Sequence, residues 1–333
     1  MTTTEEPFPT KPKSKLFERY SWLPLVIVLA LGGVWAIGRF RTHTLQAIVF
    51  AVAVVLLLGV ELVRFLKAKG QGDEGVSEST FVDAASSFGI ALTFAAASAA
   101  LVIPVLFAFA SWLHDHQLFH LNDRLKDVFG GAAPYVTFAL LIVLVDFSYY
   151  WAHRGGHTVE LFWANHSVHH SSEHYNPTTA VRISFLDEAW DLVLVSLLAL
   201  LGFSPLALFG VYGLVMLYQA PLHVNWKGRF PKPIEYVFNT PEHHRAHHAR
   251  QKIYIDKNFS GVFILWDRIF GTYAEVEDVN PLYGLTVPVG TFRIVPVLFH
   301  ENASLMRKMI RARSFGTAIQ YPFRRPYWEP VVK

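Results

Sequence analysis

Long apolar runs, each close to the thickness of a bilayer, are the strongest constraint this chain places on its own fold. About 20 apolar residues in helical form cross the hydrocarbon core, and only helices or closed barrels do so without stranding backbone polar groups. Residues 22–38, 45–66, 87–112 and 135–151 read as such runs. A further apolar region, 192–222, is interrupted by Gly202-Phe203-Ser204-Pro205 and suits two short or tilted helices joined as a hairpin. Charged residues make up only 17% of the chain, against about a quarter in soluble domains, so much of the surface is expected to face lipid. The expected fold is an all-α integral membrane protein with about four transmembrane helices, a short helical hairpin and a cytosolic helical cap.

The polar segments between these runs set the organisation and the topology. Residues 1–21 form a polar tail carrying Lys11, Lys13, Lys15 and Arg19; the apolar run after it has no small-residue cleavage site and reads as a retained anchor. Residues 67–83 are polar and Gly-rich and read as an exposed loop, and 114–134 as amphipathic or irregular. Lys and Arg near span ends favour the cytoplasm. The basic tail and Arg64, Lys67 and Lys69 agree on a cytoplasmic N-terminus, against the weaker vote of Arg39 and Arg41. Four crossings and a returning hairpin then bring every histidine-rich segment to the cytoplasmic face, of a bacterial inner membrane or an endoplasmic reticulum. The expected regions are the 1–21 tail, a transmembrane region 22–134, a histidine-motif region 135–275 and a cytosolic C-terminal tail 276–333.

Cysteine is absent, which excludes disulfides, thiolate zinc sites and iron–sulfur clusters. The net charge of +3 comes with no basic stripe of the kind nucleic acid requires. Histidine, by contrast, numbers 16 and is clustered. In DFSYYWAHRGGH, His153 and His157 are four apart, on one face of a helix that Gly155 and Gly156 are expected to weaken or end. HSVHH holds His166, His169 and His170, and NTPEHHRAHHAR repeats the same H-x-x-H-H pattern at His244, His247 and His248, with His243 as a neighbour. Neutral imidazole is a strong ligand for iron, copper and zinc, and this many ligands suit two metals better than one. Two irons can share a dioxygen and generate an oxidant able to attack an unactivated C–H bond.

Plainer accounts cover the remaining histidines: His43, His114, His116, His120 and His300 read as interfacial polar residues, and so would a lone His223. A membrane metal transporter or metal-binding protein is the rival from another class, but transporters usually carry their ligands near the bilayer midplane, not beyond the span ends. A structural zinc site would need only four ligands.

At these residues the chain resembles the fatty acid hydroxylase / sterol desaturase superfamily, marked by H-x(3)-H and two H-x-x-H-H motifs, over roughly 135–273. Within it the chain is most similar to the alkylglycerol monooxygenase branch, through YNPTTAVRIS (175–184), NTPEHHRAHHAR (239–250) and IDKNFSGVFILWDRIFGTY (255–273). The resemblance adds His223 to the ligand set. It implies two ferrous ions, dioxygen as co-substrate, and a lipid entering from the bilayer to be hydroxylated or desaturated. The lipid would be a sterol, a fatty acyl chain or an alkylglycerol ether. It also implies an external electron donor: tetrahydrobiopterin, as for the alkylglycerol branch, or a ferredoxin or cytochrome.

Residues expected just outside the ligands are Asp146, His243, His174 and Asn176. Asp146 precedes His153 by two helical turns, and a hydrogen bond to a ligand imidazole would account for a carboxylate so deep in an apolar run. For Asn176, Arg182 and Asn258, capping of helices and loops is the plainer account. Asp187, Glu188 and Asp191 read as a solvated face, with partners of the ligand imidazoles as the alternative, and Trp266, Phe270 and Tyr273 as interfacial anchors. Tyr149 or Tyr150 is a candidate pocket residue.

Overall fold

The computed structural model describes residues 78–276 and 281–330. The expected tail, the first two spans and most of the 67–83 loop lie outside the described residues. Every regular element described is helical, and a single bridge joins Ala249 to Tyr283.

Helix α1 (Glu78–Ala97) continues through a π-helical turn (Ser98–Val102) into α2 (Ile103–Asp115). Together they form a rod, Ser79–Asp115, that is long and apolar enough to span a bilayer. It starts earlier than the apolar run at 87, inside the stretch expected to be an exposed loop. The polar residues there serve tertiary contacts instead of solvent. Asp83 is buried and accepts hydrogen bonds from Arg182 (2.9 Å) and Ser172, and Ser79 and Thr80 bond the ring of His174.

Helix α3 (Leu121–Phe129) occupies the segment expected to be amphipathic and leads through Gly130, at φ 50°, into α4 (Ala133–Thr158). The rod Leu121–Thr158 is the second candidate span. The glycine pair does not fray α4. A Cβ on Gly156 would come within 3.2 Å of the His166 ring, and one on Gly155 within 3.2 Å of Trp190, so both glycines permit close approach. After extended Val159, α5 (Glu160–His170) carries the first H-x-x-H-H motif.

The interrupted apolar region folds as α6 (Phe185–Ser196), a 3₁₀ turn (Leu197–Leu201), a reversal at Gly202 with φ 103°, and α7 (Pro205–Gln219). Ser184 and Ser204 cap α6 and α7 by accepting from Leu186 N and Ala207 N. With its closing 3₁₀ turn, α7 gives the third candidate span among the described residues, Pro205–Leu222. Side chains of α2, α4, α6 and α7 form the main apolar core, with Leu113, Val145, Leu192, Val195, Val211 and Val215 at its centre.

Short helices α8 (Lys232–Val237), α9 (Pro241–His247) and α10 (Leu265–Ile269) complete the histidine-bearing end. Helix α11 (Ile294–Ile310), followed by α12 (Phe315–Ala318), falls in the segment expected to be a tail, yet it is docked. Val297 and Leu298 pack with Ile90 and Val168, Lys308 pairs with Glu160 at 2.9 Å, and Asn302 donates to Ala164 O.

Candidate metal centre

Four chain segments deliver nine imidazoles to one buried volume at the end of α4. The rings sort into two groups: His153, His157, His166, His170 and His247 in one, and His169, His223, His244 and His248 in the other. Within each group the candidate ligand nitrogens all lie within 4.8 Å of one another. The groups adjoin, with the rings of His170 and His248 stacked at 4.4 Å. All nine expected ligands, His223 included, are thus brought together.

The partition crosses the motifs. In each H-x-x-H-H helix the first and last histidines share a face and enter one group, while the middle histidine, at the fourth position, turns to the other group. His166 and His170 join the pair from α4, and His169 faces away to His223; His244 and His248 join His223, and His247 faces back.

Protonation is fixed from outside. His153 Nδ1 donates to Phe259 O (2.7 Å), His247 Nδ1 to Lys257 O (2.9 Å) and His223 Nδ1 to Gln219 O (3.1 Å), because a carbonyl oxygen can only accept. His166 Nδ1 lies 2.9 Å from Asp187 Oδ2. Each of the three carbonyl-anchored neutral rings therefore turns an Nε2 lone pair inward, and His166 presents its Nε2 to the same volume. His153 Nε2 and His166 Nε2 sit 3.1 Å apart, and His223 Nε2 lies 2.9 Å from His244 Nε2 and 3.1 Å from His169 Nε2. The Nε2 atoms of His157 and His247 are buried without a hydrogen-bond partner.

Extra protons are a poor way to relieve this crowding of lone pairs. Burial, reinforced by neighbouring imidazoles, holds His169, His170, His244 and His248 well below the usual histidine range. Burial also lowers His223 to about 4 and His247 to about 3. Neutral rings with convergent lone pairs and outward N–H anchors match what first-row transition metals bind, so the donor set fits two metal ions.

The surrounding residues depart from several expectations. Asp146 contacts no cluster imidazole; it accepts from Val262 N (2.6 Å), Phe263 N (2.9 Å) and Trp266 Nε1 (2.9 Å). It clamps the loop that presents Phe259 O to His153, so its effect on the ring is indirect. Trp266 is accordingly a hydrogen-bond partner and not only an anchor. His243 points out of the cluster to Glu235 (3.2 Å) and Thr240. His174 bonds the start of α1, and Asn176 caps the 3₁₀ turn Pro177–Val181, accepting from Thr178 N. Asn258, buried with φ 56°, bonds His243 O and Ala274.

The acidic triplet is no solvated face. Asp187 bonds His166, Glu188 accepts from Ser98, and Asp191 accepts from Tyr212 at 3.0 Å. Sequence reasoning also missed the 255–260 loop as a source of anchors. Asp256, at φ 58°, lies 4.0 Å from His157 Nδ1, and Asp267 holds the loop by accepting from Phe259 N and Ser260 N. The available signal was the D-K-N spacing, since Asp and Asn tolerate left-handed backbone better than other non-glycine residues.

The fatty acid hydroxylase family model matches residues 138–272, which contain every one of these histidines. Over these residues the chain is similar to fatty acid hydroxylases. Over 187 residues, 56% of the chain and 41% of the relative, it is 42% identical to alkylglycerol monooxygenase of Homo sapiens. Alkylglycerol monooxygenase of Danio rerio is 40% identical over 58% of the chain and 43% of the relative. Ornithine lipid hydroxylase of Rhizobium tropici is 31% identical over 40% of each. The chain spans about two fifths of the length of these relatives. No solved structure matches it significantly.

Proposed function

We propose that the chain is a membrane di-iron monooxygenase that hydroxylates a lipid, with alkylglycerol ethers as the first substrate class to test. The observation that carries this reading is the pair of buried imidazole groups with inward lone pairs and outward-anchored N–H bonds. The hydroxylase domain match and the alkylglycerol monooxygenase relatives supply the reaction class.

In this reading His153, His157, His166, His170 and His247 hold one iron, and His169, His223, His244 and His248 the other. Bound iron with dioxygen and an external electron donor supplies the oxidising power for C–H attack. The protein's part is positional. Asp187 and the carbonyls of Phe259, Lys257 and Gln219 keep Nδ1 protonated and aim Nε2 inward. Tyr149, whose ring lies 5.2 Å from that of His153, belongs to an apolar cluster with Val215, Leu222 and Val262. That cluster walls the span side of the histidine groups with apolar side chains and withholds water from that side. The basic flanks support a reading with the site on the cytoplasmic face, residues 22–134 as anchor, 135–275 as oxygenase region and 276–333 as a cytosolic extension.

The test combines metal analysis with turnover. The purified chain in nanodiscs is expected to hold about two irons. Given tetrahydrobiopterin or a ferredoxin system, it should convert an alkylglycerol in an oxygen-dependent manner to an aldehyde. His169→Ala should lose turnover and iron. Stoichiometric metal with no oxygen-dependent change in any lipid, across all reductants, overturns the assignment.

A further inference from the structure

Helix α11 carries one broad apolar arc, and only part of it is used by the fold. Val297, Leu298 and Leu305 are buried. At 100° per residue, Val295, Phe299, Met306 and Ile310 fall within about 60° of arc at the other edge of the apolar arc, and all four are exposed, Ile310 to 75%. The stripe continues beyond the helix with Phe315, exposed to 81%, then Ile319 and Phe323. Arg307 and Arg311 border one edge of it, about 60° and 100° beyond Ile310, and Arg313 follows the helix; all three are exposed and enter no ion pair of the described residues.

We propose that residues 294–323 form an in-plane membrane-docking element, its apolar stripe seated among acyl chains and its arginines at the depth of the lipid phosphates. Two observations choose a lipid surface as the occupant. The first is charge complementarity: an apolar stripe bordered by cations is the pattern of interfacial helices, whose basic residues meet headgroup phosphates. The second is placement. Helix α11 packs on α5, which follows directly from the histidine-bearing end of the candidate span Leu121–Thr158. An element attached there lies at headgroup level, and it is too short in apolar content to count among the candidate spans. The element would press the histidine-bearing end against the leaflet from which a lipid substrate is drawn. The proposal uses the membrane setting of the proposed function but not its redox chemistry.

The chain has no cysteine, so one introduced cysteine is labelled uniquely. Full-length F299C, M306C, I310C, R311C and F315C variants, each carrying an environment-sensitive fluorophore, would be reconstituted in phosphatidylcholine/phosphatidylglycerol vesicles. Circular dichroism and gel filtration confirm that each is folded. Labels at positions 299, 306, 310 and 315 should be quenched severalfold more by acyl-brominated lipid than by aqueous iodide, and the label at 311 should show the reverse preference. Equal access of iodide to all five positions overturns the proposal. So does protection from both quenchers at the apolar positions, which would mean that residues 1–77 or a second copy cover the stripe. None of these readouts requires turnover, so failure of the oxygenase reading leaves the result interpretable.

Discussion

Asp187 sits one hydrogen bond outside the proposed metal centre, and its loss should be felt at the metal. Removing such an orienting carboxylate commonly lowers metal affinity about 10–100-fold. Asp187→Asn is expected to weaken one of two iron-binding events by that order in an anaerobic titration. Asp191→Asn, which touches Tyr212 and no imidazole, should leave both intact. The same rings give a pH dependence whose sign is fixed by burial. His223 and His247 are lowered from 6.5 to about 4 and about 3, so between pH 6.5 and those values the unfolded chain binds protons that the folded metal-free chain refuses. Their contribution to stability is present in full above pH 6.5 and is lost as pH falls towards 4. The metal-free protein should therefore show a falling thermal midpoint across that window. In the sequence Asp187 admits two readings, a partner of a ligand or a solvated group, and nothing local chooses between them, because an acidic residue in the first turn of a helix serves equally as a dipole partner. The carbonyls of Phe259 and Lys257 carry no side-chain signature at all.

At the scale of elements, two tight joints hold the histidine helices in register. Gly261 lies where a Cβ would meet Asp146 Oδ1 at 2.6 Å and Tyr149 at 2.9 Å. Gly261→Ala should destabilise by about 1–3 kcal/mol, seen as a lower thermal midpoint and weaker iron retention, because loop and α4 must separate. The second joint is the buried pair Asp83–Arg182, at 2.9 Å, which ties α1 to the segment after α5 with help from Ser87 and Ser171. Arg182→Met alone leaves a buried carboxylate unpaired and should cost about 3–5 kcal/mol, whereas the double variant with Asp83→Leu should recover much of that loss. Chemical denaturation in detergent would read both. The apolar runs and the histidine spacings were legible because each is a local period along the chain. The early start of α1 was not, since Asp83 looks like loop composition until Arg182, 99 residues away, supplies its partner. Helix α11 was read as tail because its arginines masked the breadth of its apolar arc.

Across the whole molecule, the proposed metals act as cross-links between α4, α5, the segment at His223 and α9. Metal that binds the folded state alone should stabilise it by about 2.7 kcal/mol per site at a hundredfold excess over Kd. Chelation should therefore lower the thermal midpoint even though no span contains both groups, and iron should restore it. A midpoint indifferent to iron would contradict a shared two-metal volume at the junction of these elements.

Because each H-x-x-H-H helix serves both groups at once, the two proposed metal sites share one inheritance. Deleting a single residue between His166 and His170 rotates every ring after it by about 100° and spoils both coordination spheres together. A descendant of this chain cannot shed one metal by a small indel in either motif and keep the other, so the centre is expected to pass through evolution whole or to be lost whole.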